Sequence, residues 1–172
     1  MYDKFLPDHH YHMLSEITPE LLTALGIKGV VMDIDNTIVT YDDPEPTPEA
    51  ILWLDAVTGA GIRVSFVSNN NWDRVNGFNQ KLNFPAYAKS AKPLTHNIKK
   101  AMARMGTEKD STAFIGDQIF TDVWAGKQAG LTVFLVDPIK DKTDALIRFK
   151  RFLERPVKRA FEKKKRGLKD KE

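Results

Sequence analysis

The sequence predicts an α/β protein: a three-layer, doubly wound, mostly parallel sheet with helices on both faces. Three observations carry this. Short β-branched apolar runs alternate with longer helical stretches along most of the chain. Several of those helices open on capping signals, as in Thr18-Pro19-Glu20 and Thr47-Pro48-Glu49. Successive apolar runs end on polar residues, as the strands of an open parallel sheet do where they face a ligand crevice.

Taken in order, a short helix runs from Pro19 to Leu25 and is closed by Gly26. Gly29-Val30-Val31-Met32-Asp33-Ile34 follows as a strand apolar on both faces, the pattern of a buried parallel strand. Thr47 caps a helix reaching about Thr58, and Gly59-Ala60-Gly61 leads into the strand Ile62 to Val67. A helix over Trp72 to Leu82 precedes a weak strand near Pro85 to Ala88. The series continues with a helix over Pro93 to Met105, the strand Thr112 to Ile115, a helix over Thr121 to Ala129 and the strand Leu131 to Val136. Beyond Asp144 the alternation stops: Leu146, Phe149, Phe152, Leu153, Val157, Ala160 and Phe161 keep one helical face across Pro156. We therefore expect a catalytic unit over residues 1–143 and a basic, kinked amphipathic helix and tail over 144–172.

The 172 residues, 42% of them hydrophobic, suffice for one domain with a single sizeable core. The absence of cysteine excludes disulfides, thiolate catalysis and cysteine-based zinc sites. No apolar run is long enough to span a bilayer, and the first residues lack a signal-peptide pattern, so the expected compartment is the cytosol. The net charge of +3 is uneven: Arg148 to Glu172 holds twelve Lys/Arg against four Asp/Glu, a net of +8, leaving −5 for the preceding residues. Such a tail suits a local anionic partner or serves only as a solubilising extension.

Chemistry gathers at three strand ends, where Asp33 stands with Asp35, Ser68 with Asn69, and Asp117 with Asp122. Two carboxylates closing an apolar strand are expensive to bury unpaired, which calls for a cation between them. With oxygen ligands alone on offer, a hard divalent ion such as Mg²⁺ is the natural choice. A plain Asp-Asn turn would explain Asn36 but not the further carboxylates at Asp117 and Asp122. Lys92, just before Pro93, is placed to reach the same crevice, where it would meet the carboxylates and a transferring phosphoryl group.

These residues resemble, motif by motif, the haloacid dehalogenase (HAD) superfamily of phosphohydrolases. Asp33-Ile34-Asp35-Asn36-Thr37 matches its first motif, Ser68 its second, Lys92 its third and Gly116-Asp117 through Thr121-Asp122 its fourth. The resemblance implies a HAD-like Rossmannoid fold with Asp33 as the nucleophile that forms an aspartyl-phosphate. Asp35 would act as general acid and then base. It also implies Mg²⁺ held among Asp33, the backbone carbonyl of Asp35, Asp117 and Asp122. Ser68, Lys92 and Asn69 would hold the phosphoryl oxygens.

A carboxylate at position 35 favours hydrolysis over the long-lived aspartyl-phosphate of ion pumps. Motifs one and two lie 35 residues apart and motifs two and three 24, leaving no room for a large cap domain. An open crevice admits a large phosphorylated substrate, or a neighbouring subunit of an oligomer covers it. More narrowly, Pro7-Asp8, Gly26-Ile27-Lys28 and Gly116-Asp117-Gln118 resemble the capless YqeG family of subclass IIIA, related to mitochondrial phosphatidylglycerophosphate phosphatases. That relation implies a lipid phosphate, and the basic C-terminal helix either suits peripheral contact with an anionic inner membrane surface or packs Phe149, Phe152 and Phe161 on the domain. The competing class is a phosphatase fold turned nucleic-acid or ribosome-associated factor through its tail, against which every motif position holds a competent residue. His9, His10 and His12 read as surface residues of a loop rather than a metal site, and Trp53, Trp72 and Trp124 as packing residues.

Overall fold

The computed structural model describes residues 3–140 and Pro156. Apart from that proline, the amphipathic helix expected from residue 144 onward, with its membrane and nucleic-acid readings, lies outside the described residues.

Six strands form one sheet in the order β1-β6-β5-β2-β3-β4, and every pair is parallel. The strands are β1 (His9–Tyr11), β2 (Gly29–Met32), β3 (Arg63–Val67), β4 (Ala86–Tyr87), β5 (Thr112–Gly116) and β6 (Thr132–Val136). The helices are α1 (Pro19–Ala24), α2 (Pro48–Gly59), α3 (Trp72–Asn79), α4 (His96–Met105) and α5 (Trp124–Ala129). The side-chain period of two divides the core into two layers. Val30 and Met32 of β2, Ala113 and Ile115 of β5, and Phe134 and Val136 of β6 pack with Leu54 and Val57 of α2 and Val75 and Phe78 of α3. Their neighbours Val31, Phe114, Val133 and Leu135 face the other way, onto Ile98, Ala101 and Met105 of α4 and Ala125 of α5. Both faces are therefore dry, which is why the strands read as unbroken apolar runs.

Caps follow the sequence signals. Thr18 and Thr47 accept hydrogen bonds from the backbone N–H groups of Leu21 and Ala50, each with proline at the first helical position. Gly106 and Gly130 end α4 and α5 in the left-handed region that glycine adopts without strain.

Five expectations change. The histidine segment is not a loop: β1 pairs with β6 at the sheet edge, His9 stacks on Phe134 with ring centroids 4.6 Å apart, and His10 and His12 both contact the Asp137 carboxylate. α3 ends at Asn79 instead of Leu82, and Asn79 bonds both backbone groups of Phe84 to turn the chain. α4 starts at His96 rather than Pro93, because Ala91 to Leu94 forms a turn closed by Leu94 N–H to the Ala91 carbonyl at 3.0 Å. The helix expected from Thr121 is preceded by a wider π turn over Ile119–Val123 before α5 begins. Trp53 is buried and donates Nε1–H to the Ile17 carbonyl at 2.9 Å, and Trp124 packs against Phe5, but Trp72 is 48% exposed and packs no core.

Candidate active site

The chain runs outward from β2 to β3 and β4, then returns to β5 on the other side of β2. The strand order thus reverses next to β2, and in such sheets the crevice beyond the carboxyl ends at the reversal holds the ligand. Asp33 leaves β2 at that point, its N–H still paired with the Ile115 carbonyl of β5 at 3.0 Å. Asp117 follows β5, and Asp122 lies in the π turn after it. Carboxylate oxygens of Asp33, Asp117 and Asp122 lie within 4.8 Å of one another, and all three residues are buried.

Glycine at 116 is needed for this approach. A Cβ there would stand 2.4 Å from the Asp122 Cβ, so a larger residue would expel the carboxylate that also accepts the Gln118 N–H at 3.0 Å. Thr37 reaches Asp117 at 3.4 Å. Lys92, its side chain 1% exposed, sets Nζ 2.9 Å from Asp33 Oδ1 and 2.7 Å from Asp122 Oδ1. Lys89 and Ala91 on the same loop, and Asn36 after Asp35, hold positive φ angles of 47°, 49° and 63°. Non-glycine residues in that region store strain, and here they flank the groups that meet in the crevice.

The charges do not balance. Asp33, Asp117, Asp122 and Lys92 together carry a formal −2, the complement of one divalent cation. Burial pushes the Asp33 carboxyl up to about 7, Lys92 opposing the shift while Asp122 and Asp35 add to it. Burial by itself would discharge Lys92, but Asp122 and Asp33 outweigh it and raise its pKa, so the ammonium persists. Asp33 Oδ1 and Asp122 Oδ1, though close to Lys92, have no hydrogen bond of good geometry. Buried, crowded oxygen donors with excess negative charge fit a hard divalent cation.

The remaining expected residues surround the same cavity of about 240 Å³, which Asp33, Asp35, Ser68, Asn69 and Lys92 line. Ser68 follows β3, and its Oγ accepts the Asn70 N–H at 3.1 Å. Asn69 is turned onto Lys92: its Oδ1 accepts the Lys92 N–H at 2.6 Å and its Nδ2 donates to the Lys92 carbonyl at 3.3 Å. The Asp35 carboxylate stands apart from the other three. Its Oδ1 meets Arg74 Nε and Nη2, each at 2.9 Å, and its Oδ2 accepts from Asn70 Nδ2 at 3.0 Å. Three residues here escaped the sequence reading: Asn70, Arg74 and Tyr41, whose ring lines the cavity. Burial first, then the four aspartates of the site, raise the Tyr41 pKa and keep it a neutral phenol. Arg74 had a sequence signal: it sits in the first turn of α3, where the helix dipole disfavours a cation.

Residues 90–152 match the HAD-hydrolase-like family. The chain is 38% identical over 160 residues to the probable phosphatase YqeG of Bacillus subtilis (strain 168), covering 93% of each protein. Solved structures of similar fold include the cobalt-bound deoxy-D-mannose-octulosonate 8-phosphate phosphatase of Haemophilus influenzae, at a TM-score of 0.53 and 18% identity over 65% of this chain and 69% of that one. Another is the 4-nitrophenylphosphatase of Thermotoga maritima, at 0.50 and 14% over 72% of this chain and 91% of that one. A six-stranded parallel sheet with no large cap among the described residues, a buried acidic cluster beside the strand reversal and this relative together place the chain in the YqeG family of HAD-superfamily phosphatases.

Proposed function

We propose that the protein is a Mg²⁺-dependent phosphomonoester hydrolase working through an aspartyl-phosphate on Asp33. The observation that carries this reading is the formal −2 of the buried cluster Asp33, Asp117, Asp122 and Lys92, which suits one divalent cation and then a phosphoryl group. Asp33, Asp117 and Asp122, with the Asp35 carbonyl, would hold the ion, which when bound offsets charge on the phosphoryl oxygens.

A substrate phosphate entering the cavity meets Ser68 Oγ and Lys92 Nζ, while Asn69 fixes Lys92 by both of its backbone groups. An Asp33 oxygen attacks phosphorus, the bond to the ester oxygen breaks, and Asp35 gives that oxygen its proton. Water then attacks the phosphorus, Asp35 takes its proton, and the bond to Asp33 breaks to release phosphate and restore the carboxylate.

A phosphate on a large or amphiphilic molecule fits best, with a lipid phosphate such as phosphatidylglycerophosphate as the leading candidate. The shortness of the loops supports this, as do Trp72, at the start of α3 just after Ser68, and Leu94, in the loop that carries Lys92, 48% and 64% exposed. Among the described residues no helix is long and apolar enough to cross a membrane, so such a lipid would be met at its surface.

The test is release of phosphate from an aryl phosphate with Mg²⁺ and with chelator. Wild type should turn over only with the ion, and Asp33→Asn should fall by at least about 10³-fold. Unchanged turnover in Asp33→Asn would remove the nucleophile. A panel of phosphorylated lipids, sugars and nucleotides then ranks substrates by kcat/KM.

A further inference from the structure

We infer that Arg74 is the positioning residue for proton transfer by Asp35, and that it makes this positioning depend on the loop Thr40 to Pro44. The inference rests on the acid–base role of Asp35 proposed above and concerns how that role is controlled.

A guanidinium offers five N–H donors in a rigid plane, and here one plane serves two different parts of the chain. Along one edge Nε and Nη2 converge on Asp35 Oδ1, each at 2.9 Å. The other groups reach the loop: Nη1 donates to the carbonyls of Asp43 at 2.6 Å and Pro44 at 3.2 Å, and Nη2 to that of Thr40 at 3.2 Å. The Arg74 and Asp35 side chains are 13% and 4% exposed, so this is a largely dry pairing and stronger than a surface ion pair.

Two consequences follow for chemistry. With Oδ1 committed to the guanidinium, Oδ2 is the oxygen left to carry the proton, and Asn70 Nδ2 fixes it from the side at 3.0 Å. Arg74 does not line the cavity, so it acts on the reaction only through Asp35 and the loop. The loop is itself part of the site, because Tyr41, between two of the carbonyls that Arg74 holds, does line the cavity. Two exposed ion pairs also hold this region, Lys140 with Asp42 in the loop and Lys81 with Glu45 just after it, at 2.6 Å each. Such exposed pairs hold weakly, whereas the largely dry Arg74 ties three carbonyls of the loop to α3. A loop seated by substrate thereby aligns the acid, and a displaced loop loosens it.

A purely structural Arg74 would lower activity on all esters alike. A positioning Arg74 matters most where the leaving oxygen needs a proton. The experiment compares kcat/KM for glycerol 3-phosphate, whose alkoxide leaves only when protonated, with 4-nitrophenyl phosphate, whose phenolate leaves unaided. Using kcat/KM confines the comparison to the step that breaks the ester bond.

For Arg74→Ala the expected loss is about 10²-fold on the alkyl ester and less than about fivefold on the aryl ester. Arg74→Lys, which keeps the charge but loses the fork, should show the same split, smaller. In an Asp35→Asn background, adding Arg74→Ala should cost little more, since both act on one proton. Equal losses on the two esters, or full additivity with Asp35→Asn, overturn the inference. Should Arg74→Ala fail to fold, as read by circular dichroism, Arg74→Lys carries the same comparison. If Asp35→Asn shows no leaving-group split, the acid role of Asp35 fails first; if wild type releases phosphate from neither ester, the hydrolase assignment fails.

Discussion

Asp33 is a carboxyl that the folded chain prefers to keep protonated until a cation arrives. Its pKa is raised from 3.8 to about 7, chiefly by burial, so between these values the folded protein keeps a proton that the unfolded chain has released. Stability without metal therefore falls as pH rises through that window. Thermal unfolding in chelator should show a lower Tm at pH 7.5 than at pH 5.5, with the slope weakened in Asp33→Asn. Mg²⁺ should raise Tm more at pH 7.5, where its binding meets less competition from protons. Strand-end residues such as Asp33 and Asp117 were legible in the sequence because polar groups interrupt apolar runs there. Asn70 and Tyr41 were not, because on a loop an amide or phenolic side chain is ordinary until the fold supplies its partner, and Arg74 showed only the weak sign of a cation in the first turn of a helix. Asn69 was legible as a site residue, but only the fold shows its amide on Lys92.

The helix–sheet contacts depend on small residues at particular points. Gly126 of α5 lies so close to the sheet that an added Cβ would stand 2.6 Å from Val133 Cγ2 and 3.0 Å from Phe114 Cβ. Gly126→Ala should thus destabilise by about 1–3 kcal/mol through overpacking, measured by urea unfolding. Gly116→Ala works differently: by displacing Asp122 it should weaken Mg²⁺ binding, read by titration calorimetry, and lower kcat/KM. Elements with many apolar residues and a capping signal, such as α2 and β2, were readable from local pattern. The strand β1 was not, because His-His-Tyr carries no apolar alternation and is extended only because β6, over a hundred residues later, pairs with it. The boundary of α4 was obscured by a turn whose left-handed residue is Ala91, which no propensity would nominate.

Across the whole molecule, β1 covers the free edge of β6, and its removal would leave unpaired backbone on a strand whose residues Val133 to Val136 are all apolar. A variant lacking residues 1–12 should self-associate at concentrations where the full chain does not, as light scattering would show. The opposite edge behaves in another way. Asp33 and the acidic cluster follow β2 and β5 in the middle of the sheet, while Lys92 arrives from beyond β4, a two-residue edge strand paired with β3. Central strands open last and edges first. Rising urea should release the lysine while the sheet is still intact, so activity should vanish at a lower concentration than the far-ultraviolet circular dichroism signal. The site is built to fail at its rim, losing Lys92 well before the central strands that present Asp33 and Asp117.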